Sequence, residues 1–502
     1  MPAPRERTRR MIEKLAKQTA VYGLSTIVVR FLSYLLTPYY TRVFGPDTYG
    51  IVTDVYALIP FALVLLSMGM ESSYFRFSAK AEAAGGDVAA AKRRIFATTW
   101  GATLAAAAVF FLVVALFRDG VAQLMGVAYV DHPEYVVLTA AVILFDVAAM
   151  IPFSRLREQG RAMTFVMLKA ANVSVNVALA FAFGAAGLFS TSLGVGWVLV
   201  ANLAASAATL ALVVRTADRT APRIDRALLA RIFAYSLPLL VSGIAGTANE
   251  FIDRQLIKYI LPQSIAMSQL GFYGAVTKIA VVMTLFTQMY RLAAEPFFLA
   301  NFRKEEFVAS NAAALKYYVM ASMAIFLGIA LFRDAFALIV GRDFREGIYI
   351  LPVVLGANVL SGVWLNMSFW YKREEKTRYA AYITFTGLFV SVAFNLSLLP
   401  RYGYYGAAWA RLAAEAAMVW VSWRLNRRYC PTPYDLRRMA EYVALALAFF
   451  AASEAFARLC DPAAWLLYAV DALLFAAFLL FAVRRERIDV RALAASILHR
   501  NR

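Results

Sequence analysis

Histidine and cysteine are nearly missing from these 502 residues, with two of each. Cys430 and Cys460 sit at opposite ends of one apolar helix, so a disulfide framework or a cysteine metal site is excluded. His132 falls in a loop and His499 in the tail, positions where histidine is solvated more often than ligating. No phosphate loop of the G-x-x-x-x-G-K-[ST] kind and no zinc-ligand spacing occurs, so no cofactor is expected. Charge is scarce as well. At 17% charged and 62% hydrophobic residues, with a mean hydropathy of +0.62, the chain has too little polar surface to cover a soluble globule. It reads as an all-α, polytopic membrane protein. The net charge of +19 does not point to nucleic acid, because the basic residues form short clusters between apolar runs and never one stripe.

Apolar runs between charged or Gly/Pro breaks give fourteen candidate spans, starting near Thr19, Thr48, Ala91, Glu134, Ala162, Thr191, Leu228, Gln269, Asn311, Glu346, Arg378, Gly403, Leu436 and Ala463. The basic head of residues 1–18 leads into a first span too long for a signal h-region and without an A-x-A site, so that span is expected to stay as an anchor. Loop charge alternates along the chain. Lys92-Arg93-Arg94, Arg155 to Arg161, Arg215 to Arg231, Arg303-Lys304, Lys372 to Arg378, Arg424 to Arg438 and the tail from Arg484 are basic. Gly45 to Asp47, Gly184 to Gly194 and Leu261 to Gln269 are nearly free of Lys and Arg, and the loop around Arg333, Arg342 and Arg345 departs from the pattern. By the positive-inside rule both termini are cytosolic.

The second half repeats the first. Tyr49-Gly50 and Glu71 recur as Tyr273-Gly274 and Glu295, each displaced by 224 (273 − 49, 295 − 71), and Arg157-Glu158 recurs as Arg373-Glu374, displaced by 216 (373 − 157). A weaker match sets Asn202-Leu203-Ala204-Ala205 against Arg411-Leu412-Ala413-Ala414. Six spans per repeat is an even number, so the halves share one orientation. The expected plan is a six-span bundle over 19–216, a second over 217–428, two further spans over 436–484, and a basic cytosolic tail over 485–502.

An arginine in the middle of a span costs roughly 3 kcal/mol on insertion scales and normally faces protein or a wet cavity. Arg30 lies about a dozen residues from the inner end of the first span, too deep for easy snorkelling. The seventh span carries Asn249, Glu250, Asp253, Arg254 and Lys258, of which the last four share a helical face. The eighth adds Lys278, Arg291 and Glu295, and the second adds Asp54 and Glu71. Spans 1, 2, 7 and 8 begin the two repeats, so Arg30, Arg254, Lys278 and Arg291 are the candidate substrate contacts. Glu250, Asp253 and Asp54 are the candidate carriers of a coupling ion or proton, with no metal site. The competing reading is neutralisation by pairs four apart, Glu250 with Arg254, Arg291 with Glu295 and Arg411 with Glu415. Glu71, Glu295 and Asp54 lie near span ends and are weaker candidates.

The stretches Thr41-Arg42-Val43-Phe44-Gly45-Pro46-Asp47-Thr48-Tyr49-Gly50 and Asn395-Leu396 through Leu399-Pro400-Arg401-Tyr402-Gly403 to Gly406-Ala407-Ala408 resemble the polysaccharide or oligosaccharide flippases of Wzx type. That family belongs to the multidrug/oligosaccharidyl-lipid/polysaccharide exporter superfamily, which also holds lipid II flippases and MATE exporters. The resemblance implies movement of undecaprenyl-diphosphate-linked oligosaccharide from the inner to the outer leaflet of a bacterial cytoplasmic membrane, by alternating access through a cationic cavity between the bundles. It would serve lipopolysaccharide, O-antigen or other cell-surface polysaccharide synthesis, with the bilayer and a polymerase or glycosyltransferases as partners. In related lipid flippases the last two helices shape a groove for the polyprenyl tail, a role that Glu441, Glu454 and Asp471 do not suit. The alternative is a MATE-type cation or drug antiporter. MATE exporters often carry a carboxylate in the first span, whereas residues 19–44 have Arg30 and no Asp or Glu, a better match to an anionic head group. A membrane enzyme of polysaccharide assembly would need sizeable outer loops, and the longest, Arg118 to Glu134, is short.

Overall fold

The computed structural model describes residues 34–217, 220–301 and 306–487, without the side chains of 242, 250, 296 and 299–301. Among the described residues every long element is a helix. Eleven are long and apolar enough to cross a membrane, and a bent pair makes a twelfth. The helix Tyr404–Tyr429 has the length, but carries Arg411, Glu415, Arg424, Arg427 and Arg428. Most of the first expected span, with Arg30, lies outside the described residues.

The chain runs α1 (Leu36–Val43), α2 (Pro46–Ser67), α3 (Met70–Ala84), α4 (Val88–Leu116), α5 (Arg118–Met125), α6 (Val127–Val130), α7 (Pro133–Glu158), α8 (Ala162–Ala185), α9 (Gly196–Ala217), α10 (Arg226–Ile260), α11 (Gln263–Ile279), α12 (Val281–Asn301), α13 (Phe307–Leu331), α14 (Arg333–Ala337), α15 (Leu351–Arg373), α16 (Arg378–Tyr402), α17 (Tyr404–Tyr429), α18 (Leu436–Cys460) and α19 (Ala464–Arg485). The second span is broken where the sequence showed one run. Met68 and Gly69 both adopt positive φ, which ends α2 and restarts the chain as α3. The loop from Arg118 to Glu134 is likewise structured, as α5 and α6.

Two compact units form. The first contains residues up to 278 with 340–344 and 384–410, and the second contains 279–339, 345–383 and 411 onward. In the first unit Tyr74, Phe96, Trp100, Ile151 and Ile232 make one apolar core, and Phe153, Leu156, Leu168 and Val213 make another. Within the same unit α2 and α11 cross at backbone distance. A Cβ on Gly50 would collide with the Met267 carbonyl, one on Gly271 with the Pro46 carbonyl, and one on Gly274 with the Thr53 side chain. Gly50 and Gly274 are repeat-equivalent, so the recurring Tyr-Gly has a steric cause. In the second unit Phe298, Phe307 and Phe369 pack into an apolar cluster.

The acids of the last two helices have structural partners inside the second unit. Glu486, just past α19, accepts from Tyr442 at 2.7 Å and Arg438 at 3.3 Å and is ion-paired with Lys316 of α13. At the other end Glu454 meets Arg333 at 2.7 Å, and the Ser453 hydroxyl donates to Asp471. Glu441 is held by Arg485 at 3.0 Å. Burial works against the Glu486 charge, but Lys316, Tyr442 and Arg438 outweigh it and hold the carboxyl below the ordinary range.

Candidate functional site

Helix α10 presents two buried acid–base environments to its own unit. Lys258 does not stay with Asp253 and Arg254 on a common binding face but turns to Asp54 of α2, at 2.7 Å. Asp54 also accepts from Gln255 Nε2 and from the Tyr129 hydroxyl, both at 2.7 Å, and is fully buried. Asp54 is thus a satisfied partner in an ion pair joining α2, α6 and α10.

Asp253, 2% exposed, is held by neutral donors. Ser391 Oγ donates at 2.8 Å, Asn395 Nδ2 at 3.1 Å and Tyr273 Oη at 3.3 Å. Among the described residues its donors are thus two hydroxyls and an amide, whereas Asp54 is held by a base. Arg254 is half-buried, within electrostatic reach of Tyr49. Lys278, at the end of α11, stands 4.9 Å from the Tyr34 ring centroid. The Glu250 side chain falls outside the described residues. Arg291 lies in the second unit, exposed, and donates to Glu295 at 3.1 Å, the four-residue pairing that competes with a substrate contact. Lys372 joins the same carboxylate at 2.9 Å.

That last contact has a counterpart in the first unit. Glu71 is ion-paired with Arg157, so each unit ties the repeat-equivalent acid (71 + 224 = 295) to a base at the end of the repeat-equivalent span. Beside it, Glu158 gathers Tyr74 at 2.7 Å, Arg155 at 2.6 Å and Lys92 at 2.9 Å.

Sequence reasoning missed two ionisable residues at depth in the first unit, Asp146 on α7 and Lys169 on α8. They border a cavity of about 330 Å³ between α2, α3, α7, α8 and α9. Lys169 Nζ lies 4.3 Å from the Phe153 centroid, and Asn172 Nδ2 donates to Thr209 Oγ1 at 2.9 Å. Each charge stands alone in an apolar run, the signal that singled out Arg30.

A model of the polysaccharide biosynthesis protein family matches residues 15–302, more than half of the chain. The chain belongs to that family. No curated protein is similar enough in sequence to count as a match. Among solved structures, the lipid II flippase MurJ in an inward closed conformation superposes with TM-score 0.73 at 11% identity, over 93% of this chain and 99% of the other. An inward-facing MATE family multidrug transporter of the MOP superfamily gives TM-score 0.66 at 15% identity, over 85% and 96%. The MATE multidrug transporter DinF-BH gives 0.60 at 16%, over 83% and 95%. At these identities the likeness fixes the fold alone, which is the MurJ/MATE-like transporter fold. The neighbours themselves are a lipid II flippase and multidrug transporters.

Proposed function

We propose that this protein flips polyprenyl-diphosphate-linked oligosaccharide across the bacterial cytoplasmic membrane for cell-surface polysaccharide synthesis. The observation that carries the reading is the family match over residues 15–302, and the membrane-embedded cations give it a chemistry. Arg254 and Lys278 sit on consecutive helices of the first unit, and Arg30 falls within the first expected span. Guanidinium and ammonium groups at depth suit a diphosphate and repel the organic cations of a MATE-type antiporter. In this reading residues 19–216 and 217–428 are the two bundles that rock about the head group, with both termini cytosolic. Arg30 is then the contact from the first bundle and Arg254, Lys278 and Arg291 those from the second, the Arg291 charge being shared with Glu295. Asp253, and with it Glu250, is the candidate carrier of the coupling ion, and a polymerase or glycosyltransferases receive or supply the substrate.

Arg30→Ala, Lys278→Ala and the double variant should be expressed in a flippase-deleted strain and glycan export measured at matched protein levels. Each charge-assisted contact contributes about 1.5–3 kcal/mol, so each single change should weaken substrate binding by about ten- to a hundredfold. Arg30→Lys should restore only part, since an ammonium lacks the guanidinium fork. Full export by the double variant would place the diphosphate elsewhere. Native mass spectrometry retaining cationic drugs but no polyprenyl-diphosphate lipid would favour the antiporter.

A further inference from the structure

The cavity beside Asp146 and Lys169 has a charge balance that narrows its ligand. Four ionisable side chains line it: Glu71, Asp146, Arg157 and Lys169. Glu71 and Arg157 neutralise each other at one end, and Asp146 and Lys169 are electrostatically coupled further in. The formal sum is zero. A diphosphate entering here would meet two carboxylates, and an organic cation would meet two bases, so neither extreme of charge is matched.

The remaining wall suits a neutral polyol. Sugar hydroxyls both donate and accept, and they need partners of both kinds. Asp146 supplies acceptors, Lys169 supplies donors, and the hydrogen-bonded pair Asn172 and Thr209 supplies both. Phe153 and Phe165, packed edge to face at 5.3 Å between centroids, provide an apolar surface for the C–H face of a ring. Lys169 is exposed and is one of the residues that line this cavity. The volume is at the small end of the ~300–1,000 Å³ typical of ligand sites, enough for a sugar ring or two but not for a polyprenyl chain.

The geometry points to a glycan subsite: the cavity between α2, α3, α7, α8 and α9 takes neutral sugar rings of the transported oligosaccharide, with Asp146, Lys169, Asn172 and Thr209 bonding their hydroxyls. This rests on the flippase reading above and adds to it a place where the glycan itself is selected, separate from the diphosphate contacts.

The test uses the full-length protein in lipid nanodiscs and two probes: the lipid-linked oligosaccharide fraction extracted from the source cells, and bare undecaprenyl diphosphate. Wild type should bind the glycan-bearing lipid at least tenfold more tightly than the bare one. Asp146→Asn, Asn172→Ala and Thr209→Val should each weaken the glycan-bearing lipid by about tenfold and shift bare-lipid binding by less than twofold. The unchanged bare-lipid affinity shows that each variant is folded. Equal binding of both probes by wild type, or variants that weaken both probes alike or neither, overturns the subsite and leaves the flippase reading standing. A wild type that binds neither probe overturns the flippase reading, and the subsite with it.

Discussion

Replacing Lys258 by methionine tests the energetics of the first unit most directly. The Lys258 side chain is 4% exposed and that of Asp54 is 1% exposed, so removing the ammonium leaves a carboxylate with Gln255 and Tyr129 as its donors among the described residues. Removing one partner of a buried pair costs about 3–5 kcal/mol, because the charge left behind has lost its counterion without regaining water. Two good donors remain, so the lower end, about 3 kcal/mol, is expected. The double variant Asp54→Asn with Lys258→Met carries no charge and keeps an acceptor for Tyr129, so it should recover at least half of the loss. With an unfolding entropy of about 2.1 cal/mol/K per residue, a chain of this length loses about 1 °C per kcal/mol, and a unit that unfolds alone loses more. The assay is thermal unfolding of purified protein by tryptophan fluorescence in nanodiscs, with Lys80→Met on the exposed face as control. Lys258→Met should lower Tm by about 3 °C or more. A loss no larger than that of Lys80→Met, or a double variant as unstable as the two single losses added together, would refute the assignment of Asp54–Lys258 as a compensated buried pair.

Three further outcomes are expected. Gly271→Ala forces a Cβ into the Pro46 carbonyl and should cost about 1–3 kcal/mol, read as lower Tm and lower membrane yield, whereas Gly246→Ala, with open space around it, should be close to neutral. Glu486 has its carboxyl held below the ordinary range in the folded state, so its contribution is complete above the unfolded value near 4.3 and is lost as pH falls through the lowered one. A Tm–pH curve should accordingly be level from pH 7 to about pH 5 and then fall, and Glu486→Gln, losing charge-assisted contacts of about 1.5–3 kcal/mol, should lower the plateau by about 1–3 °C and flatten part of the descent. Asp253→Asn keeps a polar group among Ser391, Asn395 and Tyr273 but cannot gain or lose a proton. Substrate-dependent ion or proton flux in proteoliposomes should vanish while the protein stays folded, and flux equal to wild type would remove Asp253 from the coupling step.

Much of this architecture was legible because membrane insertion writes it into local composition. Apolar runs gave the span boundaries, and the displacement of 224 led to the acids that each unit ties to a base. Arg291 and Glu295, four apart on one helix, were readable as a pair for the same local reason. The Asp54–Lys258 pair was not, since its members are 204 residues apart and no spacing rule links α2 to α10. Lys258 had seemed to belong with Asp253 because helical periodicity assigns a face without saying which neighbour covers it. The break at Met68–Gly69 was hidden by apolar residues on both sides, although Gly69 itself was a signal. Asp146 and Lys169 lie outside the spans that open each repeat, where the repeat argument places a site, yet the rule about lone charges at depth applies to every span.

The clusters around Glu486 and Glu454 also bear on how force travels through the molecule. Helices α13, α18 and α19 are stapled near both ends, by Lys316, Arg438 and Tyr442 on Glu486 at one and by Arg333 on Glu454 with Ser453 on Asp471 at the other. A strut hinged at one end can swing, but one pinned at both can only be carried along. The two C-terminal helices therefore ride with α13 as a single outrigger. Whatever lies along these three helices is then carried by one body, with no joint between them at which it could be let go.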